Sequence, residues 1–228
     1  MATGTRAVVI VTGASRGLGK AVVEELLAMD VNVIANGTTR LQDAPLFELM
    51  SSPRVKDMSE RLVYIQGDVT DRKVQMSLVN RAKDLWGRLD ALVNNAGVIQ
   101  VNKIRDVDME AFSRVLDVNL TCVVSLTQLA IPLLCVAPNG GRIINVSSGA
   151  ADKAYEGWGS YCISKAGECS SCEGMFLGVV LILSRHEHAL FRARPRTTVN
   201  HNRLSPTGRR GHAHARRHPR DWPPRHEQ

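Results

Sequence analysis

The chain has 228 residues, of which 44% are hydrophobic, and its formal net charge is +7. This length suits one globular domain with a sizeable core. The charge is uneven, because residues 184–228 hold 11 of the 29 basic residues and 3 of the 22 acidic ones. We predict a folded domain over residues 1–183 and a disordered Arg/His/Pro-rich tail over residues 184–228.

Several classes of protein are disfavoured by composition. Five cysteines without the spacing of a secreted scaffold, and no signal-peptide pattern, favour a reducing, cytoplasmic setting. The longest apolar run, residues 175–183, is far shorter than the roughly 20 residues that span a bilayer, so we expect no membrane association. Cys169 and Cys172 have no second cysteine pair, which predicts no metal site. The basic tail lacks interleaved aromatic residues, which predicts no specific nucleic-acid partner.

Short apolar runs alternate with helical patterns along most of the chain. Strands are predicted at residues 7–11, 31–35, 62–65, 89–93 and 142–146. Helices are predicted after the first strand and over residues 41–50, 71–86, 105–136 and from 159 onward. The apolar positions of the first helix predict an inner face of Leu18, Val22, Leu26 and Met29. This alternation predicts an α/β fold with a parallel sheet.

A glycine-rich loop, Thr12-Gly13-Ala14-Ser15-Arg16-Gly17-Leu18-Gly19, follows the first strand directly. Its glycines leave no Cβ where backbone must approach a pyrophosphate, and the next helix begins with free N–H groups. The loop therefore predicts a dinucleotide site. The cofactor-binding residues predicted from it are Thr12, Gly13, Ser15, Arg16, Gly17, Leu18 and Gly19.

The segment after the second strand bears on the choice of cofactor. Residues 36–40 contain no acid that could bind a ribose 2′-hydroxyl. Arg16 could bind a 2′-phosphate instead. This pattern predicts a preference for NADP(H) over NAD(H). The alternative reading is that Arg16 and Arg40 are simply solvated.

Tyr161 and Lys165 are four residues apart on one face of a predicted helix, and Ser148 lies thirteen residues before Tyr161. Tyrosine has an ordinary pKa of about 10, and a neighbouring ammonium favours the ionised phenol. Together with the glycine loop, this pair predicts a nicotinamide-dependent oxidoreductase.

These residues resemble the classical short-chain dehydrogenase/reductase family over residues 6–166. Further matches are Asp68-Val69, the run Asn94-Asn95-Ala96-Gly97, and Asn119. The resemblance implies a Rossmann-type doubly wound parallel sheet with helices on both faces. It also implies that Asp68 and Val69 contact the adenine. It also implies that Asn95, Ala96 and Gly97 support the cofactor.

The resemblance further implies a catalytic set of four residues. Tyr161 would be the acid/base, and Lys165 would assist it and hold the nicotinamide ribose. Ser148 would hydrogen-bond the substrate oxygen, and Asn119 would hold a water that relays protons. The implied activity is NADP(H)-dependent interconversion of a small-molecule carbonyl and an alcohol.

The chain departs from the family pattern after about residue 166. No sixth strand, Pro-Gly turn, substrate lid or seventh strand is recognisable, so we expect the C-terminal strands to be missing and the fifth strand to form an exposed edge. We interpret the C-terminus as a read-through or frame-shifted product.

Two rival readings of the function are an inactive or unstable truncated nucleotide-binding remnant and a basic-tail adaptor that binds nucleic acid. Family members use the helices around 105–136 and after 159 to form homo-oligomers, but the altered second helix argues against this here.

Overall fold

Six parallel strands form one sheet in this computed structural model, which describes residues 6–51, 58–174 and 179–184. Side chains are described except at 49–51, 58–59, 169–174 and 179–184. The strands are β1 (Val8–Val11), β2 (Asn32–Gly37), β3 (Leu62–Gln66), β4 (Ala91–Asn94), β5 (Arg142–Ser147) and β6 (Val179–Ser184). Their order is β3-β2-β1-β4-β5-β6. This order confirms the predicted Rossmann-type sheet, whose winding reverses between β1 and β4.

The helices cover both faces of the sheet. They are α1 (Gly17–Ala28), α2 (Met58–Arg61), α3 (Arg72–Trp86), α4 (Met109–Leu116), α5 (Cys122–Cys135) and α6 (Gly159–Gly174). All residues of β1 are buried, and alternate side chains face opposite sides of the sheet. Ile10 packs in a core with residues of α3 and α5. Val9 and Val11 pack in a second core with residues of α1.

The inner face of α1 matches the prediction only in part, because Val22 and Leu26 are half-buried against the second core. The fully buried residues of the helix are Gly19, Val23 and Leu27. Leu18 and Met29 are exposed to 37% and 67%. The helix carries two overlapping apolar stripes one residue apart, and Gly19 decides between them. Because it has no side chain, the helix can lie close to the loop, where a Cβ at Gly19 would be 2.3 Å from the carbonyl oxygen of Gly13.

The predicted helix over residues 41–50 is replaced by two 3₁₀ segments, Leu41–Asp43 and Pro45–Ser51. An α-helix through Pro45 would lose an N–H donor, and its ring would clash with the carbonyl of Leu41. The chain therefore breaks at Ala44 and restarts at the proline.

The stretch Met109–Cys135 is long and apolar enough to cross a membrane, by length and composition alone. It consists of α4, a π-helical turn at Asp117–Thr121, and α5 with Pro132 inside it. The core residues of α5 pack against the sheet, and 44% of the apolar window is buried in the fold. Core helices of soluble proteins have the same character, so this stretch alone is weak evidence for a membrane protein.

The end of the described chain corrects one expectation. α6 continues to Gly174, and β6 pairs with β5 in parallel from Arg142↔Val179 to Ser147↔Ser184. The expectation that β5 would be an unpaired edge is therefore wrong. Residues 179–183 are all apolar and lack the alternation that marks a half-buried strand, so they carried no periodic signal. The predicted tail beyond Ser184 lies outside the described residues.

Candidate nucleotide and catalytic site

The glycine-rich loop joins the carboxyl end of β1 to α1. Gly13 and Gly17 have φ values of +63° and +57°, which favour glycine. A Cβ on Gly13 would lie 2.8 Å from the Cα of Ala96, whereas a Cβ on Gly17 would meet nothing within 4 Å. Gly13 thus packs the loop against the segment after β4. Gly17 leaves its backbone open for a ligand to approach.

Thr12 and Asn95 connect the loop to that segment. The Thr12 hydroxyl accepts hydrogen bonds from the N–H groups of Asn95 (3.0 Å) and Ala96 (3.1 Å). The side-chain amide of Asn95 donates to the carbonyls of Thr12 (2.9 Å) and Gly13 (3.0 Å). The structure therefore brings four predicted cofactor residues together. The Oδ1 of Asn95 is buried without a hydrogen-bond partner among the described residues.

The N-terminus of α1 is not capped by a side chain. Arg16 is its N-cap, with extended backbone at φ −157°, and makes no capping hydrogen bond. The free N–H groups of the first turn and the helix dipole favour an anion there. With the open backbone at Gly17, this geometry fits the pyrophosphate of a dinucleotide. Leu18 is partly exposed beside the loop, whereas Ser15 is buried and its carbonyl accepts from the N–H of Leu46 (3.0 Å).

The predicted adenine contacts have partners within the protein. The carboxylate of Asp68 bonds to the guanidinium of Arg114, and it accepts from the N–H (2.9 Å) and hydroxyl (2.8 Å) of Thr70. Burial alone would raise the pKa of Asp68, but these hydrogen bonds outweigh it and hold the pKa below its ordinary value. The side chain of Val69 lies in the core, so a contact with a nucleotide would use its backbone.

Asn119 lies on the π-helical turn and is fully buried. Its Oδ1 accepts from the N–H of Val98 (2.8 Å), and its Nδ2 donates to the carbonyl of Val98 (2.8 Å) and to the hydroxyl of Ser164 (3.0 Å). A Cβ on Gly97 would lie 3.5 Å from that Oδ1. Asn119 therefore links the segment after β4 to α6.

Ser148 and Tyr161 come from neighbouring elements. Ser148 follows β5, and its hydroxyl accepts from the N–H of Ala150 (3.2 Å) in a 3₁₀ turn that packs against α6. The ring of Tyr161 contacts Trp158 edge to face, with centroids 5.8 Å apart. The ring of Trp158 in turn packs against that of Tyr155, with centroids 5.1 Å apart. Sequence reasoning missed these two aromatic residues, because they precede the helix in a loop without periodicity.

Lys165, one turn after Tyr161 on α6, is buried, with 5% of it exposed. Its Nζ donates to the carbonyl of Val146 (2.7 Å) and to Oε2 of Glu168 (2.6 Å). Burial raises the pKa of the Glu168 carboxyl, and the charge of Lys165 opposes that rise. Sequence reasoning also missed Glu168, although its position three residues after Lys165 on one helix is a signal for such a pair.

A protein-family model described as short chain dehydrogenase matches residues 7–176 of this chain. The chain belongs to the short-chain dehydrogenase/reductase family. An uncharacterized oxidoreductase of Saccharomyces cerevisiae is 36% identical over 160 residues, which are 70% of this chain and 60% of that protein. A benzil reductase ((S)-benzoin forming) of the same yeast is 35% identical over 164 residues, 70% of this chain and 60% of that protein.

Solved structures agree with this membership. A short-chain dehydrogenase/reductase of S. cerevisiae superposes with a TM-score of 0.68 at 31% identity, covering 78% of this chain and 70% of that one. A short-chain dehydrogenase of Streptomyces avermitilis gives 0.69 at 26% identity, covering 79% and 65%. The matched region thus spans 60% of the length of the first two curated relatives.

The absence of a metal site stays a prediction from the sequence. In the described part of the chain, no group of three or more His, Cys, Asp or Glu side chains could hold a metal ion. The side chains of Cys169 and Cys172 and all seven histidines lie outside the described residues.

Proposed function

We propose that this protein is an NADP(H)-dependent oxidoreductase that interconverts a carbonyl and an alcohol. The observation that carries the proposal is the meeting of two features at the carboxyl ends of the parallel strands. The open loop with the uncapped helix lies after β1, and the Ser148, Tyr161 and Lys165 side chains lie after β5 and on α6. Ligands of doubly wound sheets bind at this edge, where the winding reverses.

The side chains then have distinct roles. Tyr161 donates a proton to the substrate oxygen during reduction and accepts it back during alcohol oxidation. Ser148 donates a hydrogen bond to the same oxygen. Lys165 supplies a positive charge that favours the phenolate. Bound NADP(H) would supply or accept the hydride.

The preference for NADP(H) is supported by the charges around the loop. The end of β2 and residues 38–40 offer no carboxylate to a ribose hydroxyl. Arg16 and Arg40 are exposed, and neither guanidinium makes a hydrogen bond or ion pair within the described part of the chain. A guanidinium can hold a phosphate through two parallel hydrogen bonds.

The first test is a fluorescence titration of the purified 228-residue chain with NADPH and, in parallel, with NADH. We expect saturable binding with NADPH tighter than NADH. Arg16→Gln should weaken NADPH binding and leave NADH binding unchanged. Arg81→Gln on α3 removes an exposed guanidinium elsewhere and serves as the matched control. Equal binding of the two nucleotides would refute the phosphate-binding role of Arg16, and binding of neither would refute the proposed function.

The second test is NADPH oxidation with a panel of carbonyl compounds, including benzil. Removing the acid/base hydroxyl in Tyr161→Phe should reduce the rate by about 10²-fold or more.

A second candidate function is nucleotide binding without catalysis. The observation that favours it is the engagement of the Lys165 ammonium by Glu168 and by the carbonyl of Val146. Saturable NADPH binding with no carbonyl reduction in the panel would favour this candidate over the first.

A further inference from the structure

Glu168 forms a buried ion pair with Lys165 that the proposed reaction does not require. Oε2 of Glu168 lies 2.6 Å from Nζ of Lys165, and the two side chains are 2% and 6% exposed. Both residues are on α6, one turn apart, with Tyr161 on the turn before Lys165. A buried carboxylate therefore lies next to the ammonium on which the proposed role of Tyr161 depends.

Two of the three N–H donors of the Lys165 ammonium are already engaged within the protein. Lysine has three N–H donors. The carbonyl of Val146 takes one at 2.7 Å, and Glu168 takes a second. One donor is left for Tyr161 or a cofactor hydroxyl. The negative charge of Glu168 also offsets the positive charge of Lys165 in an environment with little solvent screening.

We propose that Glu168 is a positioning residue for Lys165: its carboxylate holds the ammonium against the carbonyl of Val146 and offsets its charge. The charge that Lys165 presents towards Tyr161 is then that of the ion pair rather than of a lone ammonium. The inference deepens the proposed function, and the catalytic role of Glu168 rests on that function. The effect of the ion pair on Tyr161 can be measured without any enzymatic activity.

Other charged or titratable groups on the elements packed against α6 do not replace Glu168. In the described part of the chain they are Glu110, Arg114, Asp117, Cys122 and Arg142. Glu110, Asp117 and Arg142 are exposed, and Arg114 is paired with Asp68. Burial, followed by the charges of Asp68 and Glu168, raises the pKa of the Cys122 thiol to about 12, so it stays neutral in ordinary buffers. Glu168 is therefore the charge most directly coupled to Lys165.

The chain is well suited to a direct test because it has only three tyrosines. Tyrosine labelled with ¹³C at Cζ would give three signals, and Tyr161→Phe identifies the signal of Tyr161. In Glu168→Gln the uncompensated ammonium should shift the titration midpoint of Tyr161 to lower pH by about one unit. The control Glu25→Gln, an exposed carboxylate on α1, should leave that midpoint unchanged.

Further outcomes separate this inference from a structural role and from the proposed function. An unchanged or higher midpoint in Glu168→Gln would overturn the inference, even if the variant is less stable. If Glu168→Gln does not fold, Glu168→Asp, which withdraws the charge by one methylene, should shift the midpoint in the same direction by less, and no shift there would overturn the inference. In an active enzyme, the rising limb of alcohol oxidation against pH should shift with the Tyr161 signal. Absence of activity in the unmodified chain would refute the proposed function and leave the titration result standing.

Discussion

Single side chains hold the two halves of the candidate site together. Thr12 is 2% exposed, and its hydroxyl is the acceptor for two backbone N–H groups that are separated from it by more than eighty residues in sequence. A buried donor that loses its partner costs roughly 1–3 kcal/mol, because its hydration is not recovered. One hydroxyl therefore has a large influence on the loop geometry.

Thr12→Val should lower the free energy of unfolding by about 2 kcal/mol, since it replaces the hydroxyl with a methyl group and leaves both N–H groups unsatisfied. Urea denaturation followed by circular dichroism measures the change. Thr12→Ser keeps the hydroxyl and is the matched control, for which we expect a much smaller loss. Unchanged stability in Thr12→Val would show that the hydrogen bonds to the hydroxyl do not stabilise the loop.

The sequence predicted much of the site at this scale, and the part it missed has a physical reason. Tyr161 and Lys165 could be paired because a helix brings residues four apart onto one face. Glu168, three residues after Lys165, lies on the same face, but the regular pattern of strands and helices ended at about residue 166 and the polar run from Glu168 to Cys172 was not assigned to a helix. Burial of a carboxylate depends on the elements packed over it, which local sequence does not show.

At the scale of elements, glycines set the distance between α1 and the sheet. Gly19 faces the carbonyl of Gly13 at a separation that no side chain could occupy. The apolar pattern predicted a helix correctly, but Val22 and Leu26, which it placed innermost, are only half-buried, whereas Val23 and Leu27 are fully buried. Periodicity identifies a face, whereas the choice between two adjacent stripes was made here by close backbone contact.

Gly19→Ala should displace α1 from the loop, because the added Cβ would overlap the carbonyl oxygen of Gly13. We expect a loss of about 1–3 kcal/mol in unfolding free energy and weaker binding of NADPH. Thermal unfolding and fluorescence titration check the two effects. Gly159→Ala adds the same atom at the start of α6, where nothing lies within 4 Å, and should be nearly neutral. Unaltered stability and affinity in Gly19→Ala would contradict the close-packing argument.

At the scale of the whole molecule, the fold is determined by the order in which the six described strands pair in the sheet. Alternation of strands and helices was sufficient to predict a parallel sheet through β5, whereas the Rossmann-type order was predicted from the family resemblance. β6 was missed because an all-apolar strand has no periodicity, and its assignment depends on the pairing with β5. That pairing covers a row of backbone groups that would otherwise be an open edge.

A chain that ends after residue 174 should be less stable than one that ends after residue 184, because only the second retains β6. We expect the shorter chain to unfold at a lower temperature and to aggregate as its concentration rises, since the edge of β5 is exposed. Calorimetry and light scattering measure these properties. The same unfolding temperature and solubility for both chains would show that β6 does not protect β5.

The hydrogen bonds between Thr12 and Asn95 have a consequence for the order of events during synthesis. The two residues are 83 positions apart, so the loop after β1 leaves the ribosome long before its partner does. Contacts of high sequence separation form late, because the intervening chain must lose entropy first. The nucleotide pocket is therefore completed only after β4 has been made and has inserted beside β1. A fluorescent nucleotide added to stalled nascent chains would thus report when the centre of the sheet closes.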